Sequence, residues 1–190
     1  MNIACALLAA GASARFGANK LLHNVDGCPM VEHALRLHAA LPYCEKLIVT
    51  RADYAPVIAL ATDYGFRVLY NDQPLRGMGS SAAIAAKALW ETGAAGALFA
   101  VCDQPYLRRE SVERLLQDFL AHQDGIAALA HGWARGNPCV FPRGLLPELA
   151  ALDGDRGGGA VIARHMDRLF YTQAADALEL KDIDAPPEDL

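Results

Sequence analysis

The sequence predicts a three-layer α/β/α sandwich on a mostly parallel, Rossmann-like sheet, and three observations point there. Apolar runs alternate with amphipathic segments from one end of the chain to the other. The runs are short and uniformly apolar, as parallel strands buried on both faces should be. No Ser/Pro-rich linker, charge block or repeat divides the 190 residues. Residues 1–190 therefore read as one domain, and a 53% apolar composition gives ample material for a single core.

Taken in order, strands are expected at residues 3–9, 46–50, 67–70, 96–102 and 126–130. Helices are expected at 30–41, where Pro29 suits a first-turn position, at 55–63, 80–92 and 111–122, and near 145–152. After Pro138 the rhythm weakens into residues 139–142, a Gly-rich stretch and the strand-like pieces 169–173 and 178–183. The last third is expected to add mixed or antiparallel strands.

Charge and cysteine usage exclude several classes. Lys and Arg number 17 against 22 Asp and Glu, a net charge of -5, so no basic field exists to hold a nucleic-acid backbone. The longest apolar run, residues 93–102, falls well short of the roughly 20 residues that span a bilayer. No Lys or Arg precedes the first apolar run, so the charged start of a secretory signal is missing. Cys5, Cys28, Cys44, Cys102 and Cys139 are odd in number and scattered, without a C-x-x-C pair, which fits a reducing cytoplasm. The six histidines show no metal-ligand spacing.

In an open parallel sheet, ligands bind beyond the carboxyl ends of the strands, so the residues just after each strand are the candidates for function. The first strand runs into Leu8-Ala9-Ala10-Gly11-Ala12-Ser13-Ala14-Arg15-Phe16-Gly17-Ala18-Asn19-Lys20. A Gly-rich turn can aim successive N–H groups at one anion, and Arg15 and Lys20 add full positive charges, chemistry that suits a polyphosphate. It is neither a Walker A loop nor a G-x-G-x-x-G fingerprint. A plain surface loop with solvated cations has the same composition. Strand 96–102 ends at Asp103, which places one carboxylate where Mg²⁺ would sit; the same residue also suits an ordinary turn. Cys102 beside it is expected to pack as a small buried hydrophobe. Asn71-Asp72-Gln73-Pro74-Leu75-Arg76-Gly77-Met78-Gly79-Ser80-Ser81 enters a helix, with Ser80 or Ser81 as its N-cap. Gly154-Asp155-Arg156-Gly157-Gly158-Gly159 is a second Gly-rich turn able to meet an anion. Trp133 and Arg135 could flank a ring, although a lone Trp is more commonly a packing residue, the reading preferred here.

The run from Leu8 to Lys20 resembles the L-A-A-G-x-S-x-R-x-G-x-x-K loop of MobA-like nucleotidyltransferases of molybdenum-cofactor biosynthesis. Further matching segments follow in family order. They are Asn71 with Gly77-Met78-Gly79-Ser80-Ser81, Cys102-Asp103-Gln104-Pro105, Gly136-Asn137-Pro138, Glu148-Leu149 with Gly154-Asp155-Arg156-Gly157, and Asp182-Ile183-Asp184 leading to Pro187-Glu188-Asp189-Leu190. The nearest branch is the molybdenum cofactor cytidylyltransferases. The resemblance implies a nucleotide-diphospho-sugar transferase-like fold and Mg²⁺-dependent transfer of CMP from CTP, or of a nucleotidyl group from another NTP, to the phosphate of molybdopterin. A molybdenum enzyme is then an implied partner.

The resemblance also distributes roles. Leu8, Ala9, Ala10, Gly11, Ser13, Arg15 and Lys20 wrap the triphosphate; Asn71, Gly77, Gly79, Ser80 and Ser81 enclose the nucleobase. Arg15, Lys20 and Asp103 are catalytic, Asp103 and Asp184 hold the metal with Asp182 as competitor for the second place, and Gly154, Asp155 and Gly157 face the acceptor. Two departures stand out. After Asp182-Ile183-Asp184, Ala185-Pro186-Pro187 stands where the family usually continues T-P, losing the Thr hydroxyl and gaining a residue, and Gly158 and Gly159 occupy the neighbourhood where the branch commonly carries an Arg. A sugar phosphate or methylerythritol phosphate acceptor keeps the same chemistry. The competing class is a nucleotide-binding chaperone for a molybdenum enzyme, without turnover. Without the metal site, Asp184 reads as the cap of a short C-terminal helix.

Overall fold

The computed structural model describes residues 1–11, 19–154 and 156–184. Its centre is a seven-stranded sheet. In chain order the strands are β1 (Ile3–Leu8), β4 (Lys46–Thr50), β5 (Arg67–Tyr70), β6 (Gly96–Val101), β7 (Ile126–His131), β8 (Ala134–Pro142) and β9 (Leu169–Gln173), with β2 (Asn24–Val25) and β3 (Cys28–Pro29) forming a separate small hairpin. Across the sheet the order is β5-β4-β1-β6-β8-β7-β9. All neighbours pair in parallel except β8, which runs antiparallel to both β6 and β7. The predicted sandwich and its mostly parallel sheet are therefore what the chain forms, with the antiparallel strand in the last third.

β1 shows why the layers form. Its residues are buried on both faces: Ile3, Cys5 and Leu7 point to one cluster and Ala4 and Ala6 to the other, as the two-residue strand period requires. On the first face pack α1 (Met30–Ala39), α2 (Ala55–Asp63) and α4 (Arg109–Ala121) through Leu35, Val57 and Phe119. On the other face pack α3 (Met78–Trp90), α5 (Leu146–Ala150) and α6 (Gly159–Arg164). There the contact is small on small, with Ala82, Ala85 and Ala86 of α3 against the alanines of β1.

Several elements differ from expectation, each for a local reason. α3 starts at Met78, and Gly77 at φ 89° is its cap, a conformation that favours glycine; Ser80 and Ser81 lie in the first turn and cap nothing. Pro29 precedes α1 as its cap residue instead of entering its first turn. β8 begins before Pro138, which falls in the stretch where the β7 pairing shifts register, a position that tolerates the missing N–H. Residues 178–183 are no strand: Asp176 and Glu179 form a capping box that winds Ala177–Leu180 into a 3₁₀ turn. α6 was not expected at all. Among the described residues no helix is long and apolar enough to cross a membrane.

Candidate active site

The parallel strands align their carboxyl ends on one edge: Leu8 pairs with both Val49 and Val101, and Thr50 with Tyr70. Everything that follows β1, β5 and β6 therefore meets along that edge. Ala9 and Ala10 are buried there, with the Ala9 N–H donating to Val49 O at 2.8 Å. Asn19 Oδ1 accepts from Leu21 N at 3.1 Å and caps the 3₁₀ turn Lys20–Leu22, while Leu21 is buried in the core.

This anchoring directs Lys20 onto two carboxylates. Lys20 Nζ donates to Asp103 Oδ2 at 2.6 Å and to Asp184 Oδ1 at 3.1 Å, joining residues 83 and 164 positions apart. Burial alone would lower the Lys20 pKa, but the hydrogen bond and charge of Asp103, followed by those of Asp184, outweigh it and hold the ammonium above its ordinary range. Lys20 is thus a firm cation. The other Asp103 oxygen, Oδ1, is buried and lacks a hydrogen-bond partner.

That orphaned oxygen is the test of a divalent cation here. Buried carboxylate oxygens normally find a donor, and one aimed at no donor suits a cation. Among the described residues no group of three or more His, Cys, Asp and Glu side chains assembles as a metal site. Two carboxylates suffice for Mg²⁺, which commonly completes its shell with water and substrate phosphates. Asp103 and Asp184 fit that donor set.

How Asp184 arrives was invisible in the motif. The Ile183 N–H donates to Asp103 O at 3.0 Å, clipping the C-terminal segment beside the end of β6. Gln104 is buried, and its Nε2 donates to Leu180 O at 3.1 Å and to Asp182 Oδ1 at 2.9 Å. Glu179, also buried, accepts from the N–H groups of Arg108 and Ala175 at 3.1 and 2.9 Å. Gln104 therefore engages Asp182, whose carboxyl is pushed up by burial and then by the charge of Asp103, while Asp184 faces the lysine. The D-x-x-E spacing of the capping box was the available signal for this tether.

Asn71 is buried at the end of β5. Its Nδ2 donates to Ser80 Oγ and Ser81 Oγ, each at 2.9 Å, and its Oδ1 accepts from Gln73 N at 2.9 Å. The side chain braces the loop through these three bonds. The same loop is stapled to the second Gly-rich turn. Arg76 reaches Asp153 with two guanidinium bonds, and Gly79 N donates to Gly154 O at 2.9 Å. A Cβ at Gly79 would lie 2.6 Å from Gly154 O, which is why this position needs glycine.

With two carboxylates and a lysine converging beyond the parallel strand ends, the comparison with known proteins becomes specific. Residues 5–169 match the family model of the MobA-like NTP transferase domain. The chain belongs to this family. Solved structures agree in fold. A homologue of Mycobacterium tuberculosis Rv0371c from Mycobacterium sp. strain JC1 aligns with a TM-score of 0.83 at 23% identity, over 97% of this chain and 91% of that one. A nucleotidyl transferase from Methanothermobacter gives 0.78 at 23% identity, over 96% and 92%. The manganese complex of Rv0371c from M. tuberculosis H37Rv gives 0.73 at 20%, over 92% and 90%.

The second Gly-rich turn of this MobA-like chain is built differently. A cavity of about 220 Å³ lies between the ends of β1 and β6, at Leu8 and Val101, and the start of β8, with Arg135 and Asn137 in its wall and Gly157, Gly158 and Gly159 closing it. Gly157 is thus placed on a cavity wall, and Gly154 on the neighbouring turn. Trp133 is not a packing residue: it is 95% exposed at the β7–β8 turn, which Gly132 makes at φ 59°. Cys102 is buried as expected, and burial, then the charge of Asp103, push its thiol far above the range of a thiolate nucleophile. Ser13, Arg15, Asp155 and the 187–190 motif lie outside the described residues.

Proposed function

We propose that the protein is a Mg²⁺-dependent cytidylyltransferase that moves CMP from CTP to the phosphate of a molybdopterin-type acceptor. The observation that carries this reading is the convergence of Lys20 on Asp103 and Asp184 beside a buried, unpartnered Asp103 oxygen. An oxygen of the acceptor phosphate attacks the α-phosphorus of CTP, the bond from that phosphorus to the α–β bridging oxygen breaks, and pyrophosphate leaves. Such transfers depend on positioning and on charge stabilisation more than on covalent help from the protein. Lys20 holds the α-phosphate and the departing pyrophosphate, joined by Arg15 on the resemblance of the first loop. Leu8, Ala9, Ala10, Gly11 and Ser13 wrap the phosphates, and main-chain groups from Gly77 to Ser81 enclose the base. Bound between Asp103 and Asp184, Mg²⁺ would neutralise phosphate charge. Gly154, Asp155 and Gly157 face the acceptor.

CTP, molybdopterin and service to a molybdenum enzyme rest on the resemblance of motifs, residence in the cytoplasm on the scattered cysteines, and a single domain over residues 1–190 on composition and the absence of a linker. The test is pyrophosphate release with CTP or GTP against a panel of molybdopterin, sugar phosphates and methylerythritol phosphate. Release with CTP and molybdopterin alone is expected. Release with another acceptor would move the substrate, and none with any would leave a binding protein.

A further inference from the structure

The point on which Asp103 and Asp184 converge already holds a positive charge. Lys20 Nζ sits 2.6 Å from Asp103 Oδ2 and 3.1 Å from Asp184 Oδ1, so a divalent ion bridging those two oxygens would need the same space, and one held through the unpartnered Asp103 Oδ1 would face the ammonium across a single carboxylate group and be repelled by it. The three backbone anchors are fixed: Asp103 by the end of β6, Ile183 beside Asp184 by its bond to Asp103 O, and Lys20 by its capped turn and buried neighbour Leu21. What can move is the lysine side chain, on four rotatable methylene bonds. We infer that Lys20 is the resident counter-cation of the carboxylate pair, disfavouring a divalent ion in the nucleotide-free protein and yielding the pair when a triphosphate draws the ammonium onto its own oxygens.

The inference rests on the proposed function in taking a nucleoside triphosphate as the ligand, and it adds a binding order. Counting these three groups alone, the formal charge is −1 with Lys20 in place and −2 with Lys20 drawn away. Nucleotide and metal therefore promote one another's binding, and the coupling is reciprocal because it is a property of binding free energies. The protein keeps its acidic pair half neutralised until the substrate arrives, so metal enters with the nucleotide instead of before it.

The experiment is a titration of nucleotide-free protein with Mn²⁺, read by the electron paramagnetic resonance of free Mn²⁺, on the wild type and on Lys20→Met. Lys20→Met should bind Mn²⁺ about tenfold or more tighter than the wild type, within the usual range of such couplings. Adding Asp184→Asn to Lys20→Met should return the affinity towards the wild-type value. Equal or weaker Mn²⁺ binding by folded Lys20→Met overturns the inference. If that variant folds poorly, Lys20→Gln replaces it, with melting temperature as the second readout: Mn²⁺ should raise the melting temperature of the variant and leave the wild type almost unmoved, and an equal rise in both overturns the inference. Pyrophosphate release by the wild type is scored separately, so a failed coupling leaves the catalytic reading standing and a failed catalytic reading leaves the Mn²⁺ comparison intact.

Discussion

Two parts of one sheet edge use opposite materials. The side between β1 and β6 is made of charged side chains, Lys20, Asp103 and Asp184, drawn from distant stretches of sequence onto a single point. The side between β6 and β8 is made of glycines, main chain and a cavity wall in which Arg135 is the cation. The difference teaches where specificity resides. Charge placed at a point can stabilise the negative charge of any triphosphate, whereas a shaped cavity bounded by glycines selects by fit. The first side should govern rate and the second the choice of acceptor.

Substitutions can break that division, beginning with the largest effect. Asp103→Asn keeps the volume of the side chain while removing the carboxylate proposed to hold the metal, so turnover should be lost with the fold intact, as followed by pyrophosphate release and circular dichroism at saturating Mg²⁺. Near wild-type rates would remove Asp103 from the metal site. Lys20→Ala should lower kcat by roughly a hundredfold to a thousandfold, as loss of a preorganised electrostatic donor does, with a smaller change in CTP affinity. Weaker CTP binding at unchanged kcat would show that Lys20 only binds.

Substitutions where the two sides join should act on stability first. Gly79→Ala places a Cβ 2.6 Å from Gly154 O, so one of the two loops must shift, at a cost of about 1–3 kcal/mol. Thermal melting reads this, and a melting temperature unchanged from the wild type would mean that the two Gly-rich loops are not held together. Arg76→Ala removes an ion pair with Asp153 in which both side chains are more than half exposed, so it should lower the melting temperature less than Gly79→Ala does. Its acceptor KM should rise more than its CTP KM, because the pair steadies the acceptor-side turn.

The sequence and the structure agree most where chemistry is carried by residue type. Lys20 and Asp103 were singled out by the family resemblance of their motifs, since a cation after a Gly-rich turn and a carboxylate at a strand end also suit a plain surface loop and an ordinary turn, and the structure brings the two side chains into contact. The strands could be named because burial on both faces leaves uniformly apolar runs, and β1 is such a run. What stayed hidden was tertiary. Gln104 and Glu179 tie the C-terminal segment through hydrogen bonds between residues 71 to 78 positions apart, and only the D-x-x-E spacing that ends in Glu179 gives a local signal, with none at Gln104. Asn71 was expected among the base-binding residues, whereas its amide is occupied by Ser80, Ser81 and Gln73. Pro138 masked the continuity of β8, because a proline inside a strand reads as a break until the neighbouring register shift is seen.

The central claim, that Asp103 and Asp184 together hold the metal that serves the nucleotide, has one direct measurement. Crystals grown with CTP and Mn²⁺ and recorded at the manganese absorption edge locate the ion by its anomalous signal. The account predicts one peak coordinated by Asp103 and Asp184, Asp182 still bonded to Gln104, and the Lys20 ammonium moved onto the phosphates. A peak held by Asp182, or a bound CTP whose metal touches neither Asp103 nor Asp184, would contradict it.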